Sequence, residues 1–189
     1  MTRPILFNNS EDKRINILLD LDNTIICSEE YSDSIMKHVY NYADYDFIKP
    51  YVTVARPYLQ EFLDYLFKNF NVCIWTAASK NYASFIYDRF INKMGSNRRL
   101  KLLLFNFHCD ISMECSGGTK CLKLLWDKWK IPGFNSDNTF IIDDLKEVYT
   151  TQTNNCLRIK AFKIKGGEGD IELLKMIQKL ETIRKPRLS

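Results

Sequence analysis

Short apolar runs alternate with amphipathic segments along this chain, and that alternation narrows its fold more than any other feature. Ile15-Asn16-Ile17-Leu18-Leu19, Val72-Cys73-Ile74-Trp75, residues 100–107 and Thr139-Phe140-Ile141-Ile142-Asp143 read as strands, with Leu157-Arg158-Ile159 as one more. Between them, Leu59, Phe62, Leu63, Leu66 and Phe67 recur at helical spacing, which predicts a helix over 57–70 opened by Pro57. Further helices are predicted over 81–94, stopped by Gly95-Ser96-Asn97, over 119–129 and over about 170–184. Strand and helix in turn specify parallel βαβ units. The expected fold is therefore α/β, a doubly wound, Rossmann-like parallel sheet whose reactive groups gather beyond the carboxyl ends of its strands.

Asp20-Leu21-Asp22-Asn23-Thr24 follows the first of these strands. Residues two apart on an extended chain point the same way, so Asp20 and Asp22 can face one centre while Leu21 turns into the core. Two carboxylates that close repel unless a cation offsets them, so the pair implies a divalent metal and a nucleophile beside an acid/base partner. That is the outline of a phosphoryl-transfer site. An Asp-x-Asp after a strand also serves as a turn or helix cap. Later features decide between the two: Thr76 and the Asp143-Asp144 pair lie at the same ends of other predicted strands.

The stretch 28–55 breaks the rhythm, being longer than a usual βα connection. Tyr31, Tyr40, Tyr42, Tyr45, Tyr51 and, just beyond, Tyr58 make six of the chain's ten tyrosines, which favours a lid or small inserted subdomain over a surface hairpin no more than evenly.

Composition excludes several classes. The hydrophobic content of 46% is that of a globular domain, and no apolar run approaches the roughly 18 residues needed to cross a bilayer. The first nine residues lack the apolar stretch and cleavage site of a secretory leader, and the six cysteines show no Cys-x-x-Cys spacing. Reduced thiols and an intracellular compartment, nuclear or cytoplasmic, are expected. The net charge of +4 collects after residue 157, ending in Arg184-Lys185-Pro186-Arg187. Without interleaved aromatics, this reads as a solvated helix face rather than a nucleic-acid site.

Leu19-Asp20-Leu21-Asp22-Asn23-Thr24, Arg56-Pro57-Tyr58-Leu59-Gln60-Glu61-Phe62-Leu63, Trp75-Thr76-Ala77-Ala78-Ser79-Lys80-Asn81-Tyr82-Ala83 and Ile141-Ile142-Asp143-Asp144 occur in that order. In this the chain resembles the haloacid dehalogenase superfamily. More narrowly, it resembles the small C-terminal-domain phosphatases, also called the nuclear LIM interactor-interacting factor-like family, over about 15–161. The resemblance implies a single phosphatase domain over 1–189 with a small insertion after the first strand, bound Mg2+ and a phosphorylated protein or peptide substrate. It implies hydrolysis of phosphoserine or phosphothreonine, including in peptides like the RNA polymerase II C-terminal domain. Asp20 would be the nucleophile, forming an aspartyl-phosphate, and a metal ligand. Asp22 would be the acid/base, reaching the metal through its backbone carbonyl, and Thr24 would fix the loop. Thr76, at a helix start, and Lys120 would bind the phosphoryl group. Asp144 would ligate the metal directly, with Asp143 acting directly or through water.

Two departures from the family pattern stand out. Only 44–52 matches part of the family's three-stranded insertion, and the arginine expected some dozen residues before the lysine is replaced by His108, read as a buried structural residue. Two rival functions share the same residues: a phosphatase for nucleotides or nucleic-acid ends, and a non-catalytic phosphopeptide-binding scaffold.

Overall fold

The computed structural model describes residues 4–7 and 12–184. The Lys185-Pro186-Arg187 end of the basic tail, and most of the segment read for a secretory leader, lie outside them. Strands β1 (Ile5–Leu6), β2 (Asn16–Leu19), β6 (Asn71–Trp75), β7 (Leu102–Leu104), β8 (Thr139–Asp143) and β9 (Cys156–Arg158) form a sheet of order β1-β7-β6-β2-β8-β9. All neighbours are parallel except β1, which pairs antiparallel with β7 at the edge.

The central strand explains why the sheet is covered on both sides. Every residue of β2 is buried, and its alternate side chains enter different cores. Ile17 and Leu19 pack with helices α2 (Leu59–Asn69), α3 (Lys80–Ile86) and α6 (Glu172–Arg184). Leu18 joins Cys73 and Trp75 against α4 (Asn106–Ser116), the π-helical turn Leu124–Lys128 and α5 (Lys146–Thr151). The doubly wound α/β expectation therefore holds, with one antiparallel edge strand added.

Several elements differ from the sequence reading. The run 100–107 is not one strand: β7 ends at Leu104 and α4 begins at Asn106. Phe105-Asn106-Phe107 continues a strand-like apolar pattern, while α4 buries only His108, Cys109 and Ser112, so no amphipathic periodicity announces it. The helix expected over 119–129 shrinks to the π turn, and Lys120 adopts a left-handed backbone with φ +56°. The helix expected over 81–94 ends as a π turn over Tyr87–Ile91.

The insertion is more complete than the motif comparison indicates. Strands β3 (Ile26–Glu30), β4 (Tyr45–Ile48) and β5 (Tyr51–Ala55) form an antiparallel sheet of order β3-β5-β4, with α1 (Asp33–Val39) between the first two in sequence. The match over 44–52 alone is thus corrected to three strands. The first was hidden because Ser28-Glu29-Glu30 carries no apolar alternation. Cys27, Val52 and Val54 pack with Met36, Phe162 and Ile164, which seats this sheet on the segment after β9. Asp44 pairs with Arg89 (3.1 Å) and Lys93 (2.6 Å), tying the sheet to the end of α3 and its π turn.

Candidate active site

Three adjacent strands deliver the candidate residues to one edge. In the register of the sheet, Leu19 stands beside Ile74 on β6 and Ile142 on β8. Asp20, Thr76 and the Asp143-Asp144 pair therefore emerge together at the carboxyl ends of β2, β6 and β8. The Asp20 N–H still donates to the Ile142 carbonyl (3.0 Å), so the first carboxylate leaves the sheet in a fixed direction. The chain then turns tightly, the N–H groups of Thr24, Ile25 and Ile26 all converging on the Leu21 carbonyl while Leu21 is fully buried.

Lys120 binds this group together although it lies a hundred residues from Asp20. Its Nζ donates to Asp20 Oδ1 and to Asp143 Oδ2 (2.7 Å), and it is only 2% exposed. Burial works against the charge, but the facing carboxylates outweigh it and hold the ammonium above its ordinary pKa. Asp20, Asp143 and Asp144 each offer a carboxylate oxygen, all within 4.8 Å of one another. Three carboxylates against one ammonium leave excess negative charge, and burial together with Asp20 raises the pKa of Asp143 and Asp144. An all-oxygen donor set of this kind fits a hard divalent cation such as Mg2+.

The members of the acidic pair are not equivalent. Asp143 has Oδ2 on Lys120 and Oδ1 on the Leu145 N–H (2.9 Å), whereas Asp144 receives a long bond from the Thr24 hydroxyl (3.3 Å). Asp144 is thus the freer donor. The Asp22 carboxyl is not one of these three; it accepts from the Tyr82 hydroxyl at 2.6 Å. Desolvation pushes the Asp22 pKa up to about 6, against the lowering effect of that hydrogen bond.

Thr76 is placed differently from expectation. It is not at a helix start: Ser79 caps α3, accepting from the Tyr82 N–H, while Thr76 Oγ1 accepts from the Ala78 N–H (3.0 Å) in the loop before it. Its hydroxyl proton stays available to an oxyanion. His108 is buried, with Nδ1 accepting from the Phe105 N–H (3.2 Å) and its ring edge-on to Phe105 and Trp129. Burial lowers its pKa, in keeping with a structural residue.

Two supports were missed in the sequence. Gln152, at the end of α5, donates to the Lys120 carbonyl (2.9 Å) and accepts from the Leu122 N–H (2.9 Å), holding the backbone that leaves the strained lysine. Ser112 on α4 likewise donates to the Gly118 carbonyl and accepts from the Cys121 N–H. A glutamine among threonines and asparagines gives no signal of such a task. Arg56, from the quoted Arg-Pro motif, is 1% exposed, makes a bidentate pair with Asp170 and donates to the carbonyls of Thr24 and Lys160 (both 2.8 Å). It braces the loop that carries Asp22 and Thr24.

Known proteins are similar to this chain in sequence and in fold. The chain is 46% identical over 171 residues to CTD phosphatase-like protein 355R of Invertebrate iridescent virus 6, covering 85% of this chain and 94% of that protein. It is 39% identical over 185 residues to the 355R protein of Invertebrate iridescent virus 3, covering 92% and 98%. Among solved structures, Fcp1, an essential RNA polymerase II CTD phosphatase, superposes with a TM-score of 0.59 at 17% identity. That match covers 94% of this chain and 51% of Fcp1, so the chain spans about half of that longer protein and shares its fold. The sequence signature of the NLI interacting factor-like phosphatases matches residues 15–188. The chain belongs to the NLI interacting factor-like phosphatase family.

Proposed function

We propose that this protein is a Mg2+-dependent phosphoserine/phosphothreonine protein phosphatase that works through an aspartyl-phosphate. The observation that carries the reading is the buried Lys120 ammonium bridging Asp20 and Asp143 at the carboxyl edge of the sheet. A purely structural acidic turn has no need of it.

In the first step, an Asp20 carboxylate oxygen attacks phosphorus while the bond to the serine or threonine oxygen breaks, and Asp22 gives its proton to that departing oxygen. The aspartyl-phosphate then meets a water molecule. Asp22, now ionised, takes the water's proton, the water oxygen bonds to phosphorus, and Asp20 is released as a carboxylate. An Asp22 pKa of about 6 suits a group that must both give and accept a proton. The Lys120 ammonium and the Thr76 hydroxyl face the charge on the transferring oxygens. Asp20, Asp144 and the Asp22 carbonyl would hold Mg2+, with Asp143 held by Lys120 and so one step removed. Bound there, the ion supplies positive charge against the carboxylates and phosphoryl oxygens.

The insertion favours a peptide over a nucleotide. Tyr31 and Phe47 stand about half exposed with ring centroids 6.2 Å apart, an aromatic surface able to grip an extended chain. In this reading, the segment 28–55 is the lid of a single phosphatase domain, and peptides like the RNA polymerase II C-terminal domain are among its substrates. No helix among the described residues is long and apolar enough to cross a membrane.

The test is hydrolysis of p-nitrophenyl phosphate and of phosphoserine peptides with and without Mg2+. Asp20→Asn is expected to abolish turnover and to lose beryllium fluoride binding. Full activity in that variant would falsify the assigned nucleophile. Faster turnover of nucleotides than of phosphopeptides would overturn the substrate class.

A further inference from the structure

The quoted motif ends in Tyr82-Ala83, and the reaction above leaves that tyrosine without a task. Its hydroxyl lies 2.6 Å from Asp22 Oδ1 and 2.6 Å from Ser28 Oγ, and Ser28 Oγ lies 2.6 Å from Thr53 Oγ1. Ser28 and Thr53 are cross-strand partners on β3 and β5, so the chain of hydroxyls begins in the insertion and ends on the candidate acid. Thr53 is fully buried, and Ser28 and Tyr82 are half-buried.

We infer that Tyr82 is a positioning residue: its hydroxyl holds Asp22 in the orientation that protonates the leaving oxygen, and the insertion sheet holds Tyr82 through Ser28 and Thr53. The inference rests on the phosphatase reading. A tyrosine hydroxyl has one proton. When Asp22 is ionised, that proton goes to Oδ1, so Ser28 donates to the tyrosine oxygen and Thr53 to Ser28, and all three hydroxyls are satisfied in one direction. Oδ1 is thereby occupied, which leaves Oδ2 to carry the transferable proton. As Asp22 gives that proton up, its bond from Tyr82 becomes charge-assisted and strengthens. The gain arises as the leaving group departs, where it accelerates the reaction instead of tightening the ground state.

A contact made only for packing would affect all substrates alike, whereas support of the acid matters in proportion to how much the leaving oxygen needs a proton. The experiment is a series of substituted phenyl phosphates, running from p-nitrophenyl, whose phenolate leaves readily, to unsubstituted phenyl, whose phenolate leaves poorly. For Tyr82→Phe, kcat/KM is expected to fall about tenfold more on phenyl phosphate than on p-nitrophenyl phosphate, within the range a general acid contributes. Since kcat/KM reports the steps up to formation of the aspartyl-phosphate, later hydrolysis does not blur the comparison. Ser28→Ala is expected to show the same split, smaller in size, and carries the test if Tyr82→Phe does not fold. An equal loss on every ester, or no loss on any, would overturn the positioning role. Failure of the unsubstituted protein to hydrolyse any member of the series would overturn the phosphatase reading itself, and with it this inference.

Discussion

Lys120 concentrates chemistry and strain in one residue. Its φ of +56° lies in the left-handed region, which costs a side-chain-bearing residue roughly 1–2 kcal/mol, and its ammonium is the positive charge facing Asp20 and Asp143. Lys120→Met keeps most of the side chain's length and removes the charge. Steady-state kinetics should show kcat down by about 100-fold to 1,000-fold, the usual loss when one donor to a developing oxyanion is deleted. Gly167 is a contrasting residue, constrained by space instead of charge. A Cβ built there would come within 2.3 Å of the Lys163 carbonyl oxygen and 2.9 Å of the Tyr42 hydroxyl, so the chain behind the insertion closes only without a side chain. Gly167→Ala should cost about 1–3 kcal/mol in urea denaturation, as overpacking does elsewhere.

At the scale of elements, α5 joins the two halves of the candidate site. It begins just after Asp143-Asp144 and is capped by Gln152, whose side-chain amide holds the Lys120 carbonyl and the Leu122 N–H. Gln152→Leu fills similar space without the two hydrogen bonds. It is expected to lower kcat/KM by up to about 100-fold through misplacement of the ammonium, measured on p-nitrophenyl phosphate, with far-ultraviolet circular dichroism unchanged. The insertion sheet packs on Phe162 and Ile164, and it also meets the rest of the chain through the ion pairs of Asp44 with Arg89 and Lys93, which are partly exposed. Such pairs contribute little to overall stability, so their purpose is better sought in the sheet's placement.

For the whole molecule, the Arg56–Asp170 pair fastens the end of the chain to the loop carrying the first carboxylates. Burial raises the Asp170 pKa, but the hydrogen bonds and charge of Arg56 prevail and hold it below its ordinary 3.8. A carboxylate depressed on folding contributes stability above its unfolded pKa and loses it as pH falls through the folded one. Asp170→Asn should therefore lower the melting temperature at neutral pH, and the gap from the unsubstituted protein should close as pH drops below about 4. Arg56→Met, which takes the donor from the half-buried Asp170 carboxylate and from the Thr24 and Lys160 carbonyls, should cost about 1–3 kcal/mol at pH 7. Bound Mg2+ would act at the same scale by mass action. At a hundred times its dissociation constant it should add about 2.7 kcal/mol of stability, and Asp144→Ala should remove that thermal shift whether or not turnover survives.

The sequence by itself determined the strand-helix alternation, the delivery of Asp20 and Asp143-Asp144 from strand ends, and the family, because backbone periodicity and short motifs are local properties. It held no sign of α4, whose buried face holds a histidine, a cysteine and a serine, nor of the first strand of the insertion, which ends in a serine and two glutamates. Tertiary structure alone decided what those local pieces meet. The ion pair spanning Asp20 and Lys120, the Gln152 clamp and the hydrogen bond between Asp22 and Tyr82 each depend on groups distant in sequence. Long-range hydrogen bonds and charge pairs have no period along the chain, so they become visible only when the sheet sets its strands side by side.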